Sequence, residues 1–303
     1  MKVLVTGSNG LLGQKLLDYY KQFPEIELIA TAKGADRYPF PGFYTYCSLD
    51  ITNEAEVIAV FNSTKPEVVI HTAAMTNVDA CELDQVNCDV LNVQAVEYIV
   101  NACNHINAHL VHLSTDFIFD GTHGPLAEEE IPKPLSYYGL SKYKAEQLVQ
   151  AHSNSWAILR TVLVYGVVKD MSRSNIVLWA KNALESGKSI QVVADQFRTP
   201  TLAEDLAQGC ALAASQKASG IFHISGMNFM SVFDLVIQVA DFWNLDKSLV
   251  NLSSSEGIQQ PAKRPPITGF QIEKAKSILG YQPHSFKEGL QIVSNQLNSL
   301  HHE

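Results

Sequence analysis

Short apolar runs alternate along this chain with segments whose apolar positions recur every three or four residues. The first run, 3–5, ends in a glycine-rich turn at Gly7, Gly10 and Gly13, and a segment with helical spacing follows at once. The amide groups and the dipole at a helix start favour negative charge, so strand, glycine turn and helix in this order predict a site for the phosphates of a dinucleotide. The alternative is a plain βα turn without a ligand.

The same alternation continues beyond the first unit. The further apolar runs that predict strands are 26–31, 44–47, 67–71 and 109–113. Helical spacing occurs between them at 53–61, with Thr52 as a plausible cap, and at 83–104. Repeated β–α units with continuous apolar strands predict an α/β fold, a Rossmann-type doubly wound parallel sheet that binds ligands outside the carboxyl ends of its strands.

The second half of the chain has a more mixed pattern. Helices are predicted at 172–186, 203–214, 232–242, 273–279 and 286–300, and strands at 190–193 and 221–224. We therefore expect an NAD(P)-binding Rossmann domain over 1–165, to which segments near 200–224 return. Residues 166–303 would form mainly a smaller mixed α/β substrate domain. The apolar stripe in 286–300 indicates core or a dimer seam, so a homodimer is one expectation.

Composition narrows the classes of function. The chain has 303 residues, a net charge of −9 and 46% hydrophobic residues. An acidic chain without a basic run is not expected to bind nucleic acid, and no apolar stretch approaches membrane-spanning length. The first apolar run is too short for a signal peptide, and the five cysteines are scattered and odd in number. These features favour a cytoplasmic protein with reduced cysteines and no membrane partner. The histidine spacing at 105 and 109 does not favour a metal site.

The segment after the second predicted strand bears on the choice of cofactor. Lys33 and Arg37 follow that strand closely, while the nearest acid, Asp36, lies inside the loop. Basic groups accommodate the 2′-phosphate of NADP, whereas an acid at the strand end binds the 2′-hydroxyl of NAD. We expect NADP(H) to be preferred, with NAD(H) as the alternative cofactor. Two solvated loop charges are the competing interpretation.

Other cofactor candidates lie at the ends of the remaining strands. Asp50 follows the third strand, where the adenine would lie, and small residues follow the fourth, where they leave room for a flat ligand. The full set of cofactor candidates is Gly7, Asn9, Gly10, Leu11, Leu12, Gly13, Lys33, Arg37, Asp50, Ile51, Ala73, Ala74, Thr76, Tyr138 and Lys142.

Three residues suggest the chemistry. Thr115 ends the fifth predicted strand, and Tyr138 and Lys142 are four residues apart on one face of the next helix. A tyrosine hydroxyl ordinarily titrates at about 10, and a nearby ammonium lowers that value towards the working range. Together with a dinucleotide site, these residues predict a carbonyl reductase in which Tyr138 gives the proton and Thr115 hydrogen-bonds the same oxygen.

These motifs occur in order along nearly the whole chain. The glycine turn, Ser-Thr and Tyr-x-x-x-Lys resemble the extended short-chain dehydrogenase/reductase family. The strings at 71–82, 114–121, 134–142, 160–166 and 195–201 resemble its dTDP-4-dehydrorhamnose reductase subfamily, and Lys-Arg-Pro at 263–265 fits the late Arg-Pro of that subfamily. The resemblance implies reduction of the 4-keto group of dTDP-4-dehydro-6-deoxy-L-mannose to dTDP-L-rhamnose. Two positions depart from the subfamily pattern: Phe117 replaces a common tyrosine, and Arg198 a common glycine.

The nucleotide-sugar substrate implied by this resemblance needs contacts in the second half of the chain. An arginine suits a diphosphate because its planar fork bonds two oxygens at once. The substrate candidates are Val78, Asp116, Phe117, Asn175, Gln196, Arg198, Thr201 and Arg264.

Two rival functions remain open. One is a sugar-nucleotide epimerase or dehydratase, although dehydratases of this superfamily typically place Asp-Glu after the active-site threonine and Thr115 is followed by Asp116 and Phe117. The other is a non-enzymatic regulatory subunit resembling that of methionine adenosyltransferase. Retention of Thr115, Tyr138 and Lys142 argues against that role.

Overall fold

The computed structural model describes residues 1–169, 174–257 and 260–300. The strands are β1 (Lys2–Thr6), β2 (Glu27–Ala32), β3 (Thr45–Ser48), β4 (Val68–His71), β5 (His109–Thr115), β6 (Trp156–Thr161), β7 (Val164–Tyr165), β8 (Ile190–Val193), β9 (Phe197–Arg198), β10 (Thr201–Leu202), β11 (Gly220–His223), β12 (Met230–Ser231) and β13 (Val250–Ser253). The helices are α1 (Leu11–Tyr20), α2 (Glu54–Thr64), α3 (Val78–Leu83), α4 (Gln85–Asp89), α5 (Ala95–Ile106), α6 (Tyr137–His152), α7 (Ile176–Glu185), α8 (Ala203–Ser215), α9 (Val232–Phe242) and α10 (Phe286–Leu300).

A seven-stranded sheet in the order β11-β6-β5-β4-β1-β2-β3 forms the centre of the molecule. Every neighbouring pair in it is parallel. The strand order reverses between β1 and β4, which is where a doubly wound sheet leaves a crevice outside the carboxyl ends of its strands. The predicted Rossmann-type fold is confirmed.

Both faces of this sheet are covered, which explains the continuous apolar runs of its strands. Val3, Val5 and Ile70 belong to a buried cluster with side chains of α1 and α8. Leu4 and Val69 belong to a second cluster, on the opposite face, with side chains of α2, α5 and α6. Since successive side chains of a strand point to opposite faces, a strand buried on both sides has to be apolar throughout.

A third buried cluster contains side chains from β7 onward, including residues of α7, α9 and α10. Phe286, Leu290 and Val293 on the C-terminal stripe are 3% exposed or less, so that stripe is core. Three two-stranded pairs accompany this cluster, namely β7–β10, β9–β12 and β8–β13. Strand β11, which follows α8 in the second half of the chain, returns to the edge of the large sheet. The division of the chain near residue 165 stays a prediction.

Two helices begin differently from the sequence prediction. Asn53, not Thr52, caps α2, because its side-chain oxygen accepts from the amides of Ala55 and Glu56. The single helix predicted at 83–104 is interrupted where Asp84 caps α4, and again by a π-helical turn at Val90–Gln94. The predicted start of the helix at 172 lies outside the described residues. Among the described helices, none has the length and apolarity needed to cross a membrane.

Candidate active site

A cavity of about 600 Å³ opens beside the carboxyl ends of the central strands. Its first part, which we call the cofactor half, is lined by the glycine turn, by the loops after β2 and β3, and by residues 71–74 and 76 at the end of β4. Its second part, the substrate half, is lined by Val78, by residues 114–117 at the end of β5, and by Ser174 and Asn175. Tyr138 and Lys142 on α6 also line the cavity.

The glycine turn has the geometry expected of a phosphate-binding loop. Gly7 has φ +70°, and a β-carbon there would lie 2.9 Å from the backbone nitrogen of Ala73, so a side chain is excluded twice over. Gly10 caps α1 without a side-chain hydrogen bond. The first amides of α1 thus face the cavity uncapped and can bind an anion.

Asn9 fixes the loop after β2 against this turn. Its Nδ2 donates to the carbonyl oxygen of Ala35 (2.9 Å), and its Oδ1 accepts from the backbone nitrogen of Arg37 (2.9 Å). The carboxylate of Asp36 is occupied by the backbone nitrogen of Tyr38 (3.1 Å) and the hydroxyl of Tyr44 (2.6 Å). Arg37 lines the cavity. The carboxylate of the neighbouring Asp36 instead accepts hydrogen bonds from Tyr38 and Tyr44.

Lys33 and Asp50 form an ion pair across the same end of the cavity, with 2.6 Å between Nζ and Oδ2. The lysine hydrogen bond lowers the pKa of Asp50 and the carboxylate raises the pKa of Lys33. Lys33 is largely exposed, so water screens this pair and its contribution to stability is small.

Strand β5, the turn after it and helix α6 bring Thr115, Tyr138 and Lys142 together. Ser136 caps α6 by accepting from the backbone nitrogen of Gly139 (3.2 Å). A β-carbon on Gly139 would lie 2.1 Å from the carbonyl oxygen of Phe117, so only glycine allows α6 to pack directly on the turn after β5. This close approach sets Tyr138 beside Thr115.

Burial dominates the electrostatics of the two α6 residues. It raises the pKa of Tyr138 above its ordinary value, and the hydroxyl of Thr115 opposes that shift. It lowers the pKa of Lys142 to about 8, with Glu146 opposing. The expected lowering of the tyrosine pKa is therefore wrong for this cavity, because loss of hydration around a phenolate is the largest effect. The phenol stays protonated, as a proton donor must.

A buried ion pair lies one turn of α6 below Lys142. Arg160 donates from Nε to Oε1 of Glu146 (3.0 Å) and from Nη2 to Oε2 (2.8 Å). Asn92, in the π-helical turn, donates to Oγ of Ser141 (3.0 Å) and exchanges hydrogen bonds with the backbone of Met75. These contacts hold α6 against β6 and the loop after β4. Breaking a buried pair of this kind costs about 3–5 kcal/mol.

All the predicted cofactor candidates line the cavity. The structure brings together Gly7, Asn9, Gly10, Leu11, Leu12, Gly13, Lys33, Arg37, Asp50, Ile51, Ala73, Ala74, Thr76, Tyr138 and Lys142. Their roles towards a cofactor stay predictions.

The substrate candidates divide into two groups. Val78, Asp116, Phe117 and Asn175 line the cavity, and Asn175 also caps α7.

The other four candidates hold structural contacts away from the cavity lining. Thr201 donates to the carbonyl oxygen of Val162 (2.7 Å), and Gln196 contacts Ser255. Arg264 is ion-paired with Asp79 (2.6 Å), and Arg198 is bonded mainly to backbone carbonyls. The structure therefore does not bring Gln196, Arg198, Thr201 or Arg264 to the cavity.

Several lining residues escaped the sequence analysis. His71, Thr72 and Ser114 lie beside predicted site residues at the ends of β4 and β5, and their strand-end positions were the available signal. Leu163 lies within the 160–166 string but was not singled out there, and Ser174 comes from a loop that no motif marks. Within the described ranges, no three His, Cys, Asp or Glu side chains are grouped so as to hold a metal ion.

A family model described as the RmlD substrate binding domain matches residues 1–299. The chain belongs to this family. Methionine adenosyltransferase 2 subunit beta of Xenopus laevis is 33% identical over 252 residues, which cover 82% of this chain and 73% of that protein. The dTDP-4-dehydrorhamnose reductase of Aggregatibacter actinomycetemcomitans is 30% identical over 304 residues, covering 96% of this chain and 98% of that protein.

Among solved structures, the dTDP-4-dehydrorhamnose reductase of Bacillus anthracis in complex with NADP is similar to this chain. The TM-score is 0.84, the identity is 29%, and the match covers 97% of this chain and 99% of that one. The resemblance read from the sequence is therefore confirmed for this member of the RmlD family. The relatives of similar identity thus include both a reductase and a methionine adenosyltransferase subunit.

Proposed function

We propose that this chain is an NADPH-preferring reductase of a nucleotide-linked 4-keto-6-deoxysugar. The substrate favoured by the resemblance is dTDP-4-dehydro-6-deoxy-L-mannose, reduced to dTDP-L-rhamnose. The observation that carries the proposal is the single cavity that holds the glycine turn together with Thr115, Tyr138 and Lys142. A regulatory site that only binds a nucleotide needs the glycine turn but does not need Thr115, Tyr138 and Lys142.

The residues of the chain supply the groups that a ketone reduction needs. When bound, a nicotinamide cofactor would deliver the hydride to the carbonyl carbon. Tyr138 is buried and protonated, and gives its proton to the carbonyl oxygen as that oxygen gains negative charge. The ammonium of Lys142, one helical turn away, stabilises the phenolate that remains. The product gains one hydride and one proton, so charge and atoms balance.

The cofactor half supports NADPH over NADH. Arg37 borders the cavity, and Lys33 stands at the same end. Asp36, the acid that would repel a 2′-phosphate, is held by Tyr38 and Tyr44. The NADP complex of the Bacillus anthracis reductase supports the same choice, since that protein shares 29% of its residues with this chain.

The substrate half supports a sugar more than a flat aromatic ligand. Asp116 offers a carboxylate to hydroxyl groups, and Phe117 lies edge-on to Tyr138 with 5.7 Å between ring centroids. We assign sugar contacts to Val78, Asp116, Phe117 and Asn175. Gln196, Arg198, Thr201 and Arg264 remain substrate candidates only if the substrate rearranges this end of the cavity.

Turnover is the direct test. Addition of dTDP-4-dehydro-6-deoxy-L-mannose to the protein and NADPH should consume NADPH and yield dTDP-L-rhamnose, identified by mass spectrometry and NMR. Lys142→Met should bind NADPH and turn over far more slowly. Absence of turnover by a wild-type protein that binds NADPH would contradict the proposal.

A second candidate function rests on the relatives of the methionine adenosyltransferase regulatory-subunit class, which match as strongly as the reductase. In that case the chain would bind a catalytic methionine adenosyltransferase subunit and change its kinetics. Size-exclusion chromatography of the mixture distinguishes the candidates. Co-elution without ketone reduction supports the regulatory function, and reduction by the chain alone supports the enzyme.

A further inference from the structure

Arg198 is held in the protein so that one of its N–H groups is left for a carboxylate. Its side chain is buried, and Nη1 donates to the carbonyl oxygens of Phe197 (2.8 Å) and Pro266 (2.9 Å). Nη2 donates to the carbonyl oxygen of Pro265 (2.7 Å) and to Oε1 of Gln196 (3.3 Å). An arginine has five N–H donors in a fixed fork, so the four on Nη1 and Nη2 are used and Nε remains.

The remaining donor faces Asp116. The distance from Nε of Arg198 to Oδ2 of Asp116 is 3.7 Å, and both side chains are almost fully buried. The acceptors around Nη1 and Nη2 are neutral, so Asp116 is the carboxylate that forms an ion pair with Arg198. Burial raises the pKa of Asp116, and the charge of Arg198 is the largest influence that lowers it.

The Asp116 carboxylate in turn forms a hydrogen bond with the Thr115 hydroxyl. Oδ2 of Asp116 accepts from Oγ1 of Thr268 (2.5 Å), and Oδ1 accepts from Oγ1 of Thr115 (3.0 Å). Oγ1 of Thr115 also accepts from the backbone nitrogen of Phe117 (3.2 Å). A hydroxyl has one proton and two lone pairs. The Thr115 hydroxyl is therefore held in place between the Asp116 carboxylate and the backbone of the turn after β5.

We propose that Arg198 is a positioning residue which, by pairing with Asp116, fixes the carboxylate that holds the Thr115 hydroxyl in place beside Tyr138. The inference rests on the proposed reductase function and changes one part of it. Arg198 acts through Asp116 and not through a diphosphate.

The charged and titratable groups around this unit are few. Asp116 faces Arg198 and Tyr138, whose pKa the carboxylate raises. Burial lowers the pKa of the Arg198 guanidinium, and the charge of Arg264, which is itself paired with Asp79, adds to that lowering. Loss of Arg198 leaves a buried carboxylate without its counter-charge, so Asp116 should take up a proton within the working range. A protonated Asp116 no longer accepts from Thr115 as a carboxylate does.

The test compares Arg198→Met, Arg198→Lys and Asp116→Asn in the complete protein. Arg198→Met should lower kcat roughly 10- to 100-fold and add an acidic limb to its pH profile, with activity lost as pH falls. Arg198→Lys should restore part of kcat and remove much of that limb. In an Asp116→Asn background, Arg198→Met should have little further effect, because the two act as one unit. The Kd for NADPH should not change in any variant.

Arg264→Met is the matched control. It removes the neighbouring guanidinium but leaves the Arg198–Asp116 pair in place, so it should not create the acidic limb. The inference is contradicted if Arg198→Met lowers kcat without changing the pH profile, or if the Arg198 and Asp116 effects add. Either result would show that Arg198 only connects β9 to residues 265–266 through hydrogen bonds and does not position Thr115.

A second readout does not need turnover. Infrared difference spectra at neutral pH should show a protonated carboxyl band in Arg198→Met that is absent from wild type and from Arg198→Met/Asp116→Asn. If that band appears while wild type reduces no substrate, the proposed function fails and the Arg198–Asp116 unit stands. If wild type is active and the band is missing, the unit fails and the function stands.

Discussion

The two halves of the cavity differ in how their residues are held. In the cofactor half, short-range geometry dominates: the glycine turn and the start of α1 lie within thirteen residues of the chain start, and Asn9 ties the next loop to them. In the substrate half, Asp116 contacts Arg198 and Thr268, which come from distant parts of the sequence. A site built from local backbone geometry can be read from a motif. A site built from long-range side-chain contacts cannot.

The largest expected effect lies where the halves meet. Tyr138→Phe removes the proton donor and should lower kcat at least about 100-fold, while the Kd for NADPH stays near that of wild type. Steady-state kinetics and fluorescence titration with NADPH check this. Tyr137→Phe is the control, because that neighbouring hydroxyl donates to Asp89 (2.8 Å) and not to the cavity. Near-normal turnover by Tyr138→Phe would remove the tyrosine from the mechanism.

The pH dependence of kcat/KM reports on Lys142. Burial lowers its pKa to about 8, so the ammonium is present below that pH and is lost above it. Activity should therefore fall about tenfold per pH unit above pH 8, since one proton is lost. Glu146 opposes the shift, so Glu146→Gln in a folded protein should move the basic limb to lower pH. A flat profile between pH 8 and 10 would contradict a catalytic ammonium.

A change in the cofactor half should alter the choice of cofactor alone. Arg37→Met should weaken NADPH binding about tenfold, as loss of one charge-assisted hydrogen bond does, and leave NADH binding unchanged. Parallel titrations with the two cofactors measure the ratio. Lys133→Met, an exposed lysine paired with Asp120, is the matched control. Equal weakening for both cofactors would place Arg37 away from the 2′-phosphate.

The smallest effect tests the substrate half. Thr201→Val removes the hydrogen bond to Val162 and should lower the free energy of unfolding by about 1 kcal/mol without changing KM for the sugar nucleotide. Urea denaturation and steady-state kinetics separate the two effects. A several-fold rise in KM would instead show that β10, which contains Thr201, contacts the substrate, and that the substrate half rearranges when the substrate binds.

The sequence predicted the sheet, the glycine turn and the Tyr138–Lys142 pair because each depends on spacing within one element. It missed the break at Asp84 and the π-helical turn that carries Asn92, because an apolar period does not reveal a side chain that caps or hydrogen-bonds inward. It also assigned Arg198 to a diphosphate, since a single sequence cannot show that backbone carbonyls use three of its donors.

Hydride transfer itself gives the most direct test of the central claim. The protein should be incubated with dTDP-4-dehydro-6-deoxy-L-mannose and NADPH carrying deuterium at the transferable position of its nicotinamide. Our account predicts dTDP-L-rhamnose with one deuterium on the sugar carbon that was the ketone, located by NMR. Unlabelled product, or no product from a protein that binds NADPH, would contradict it.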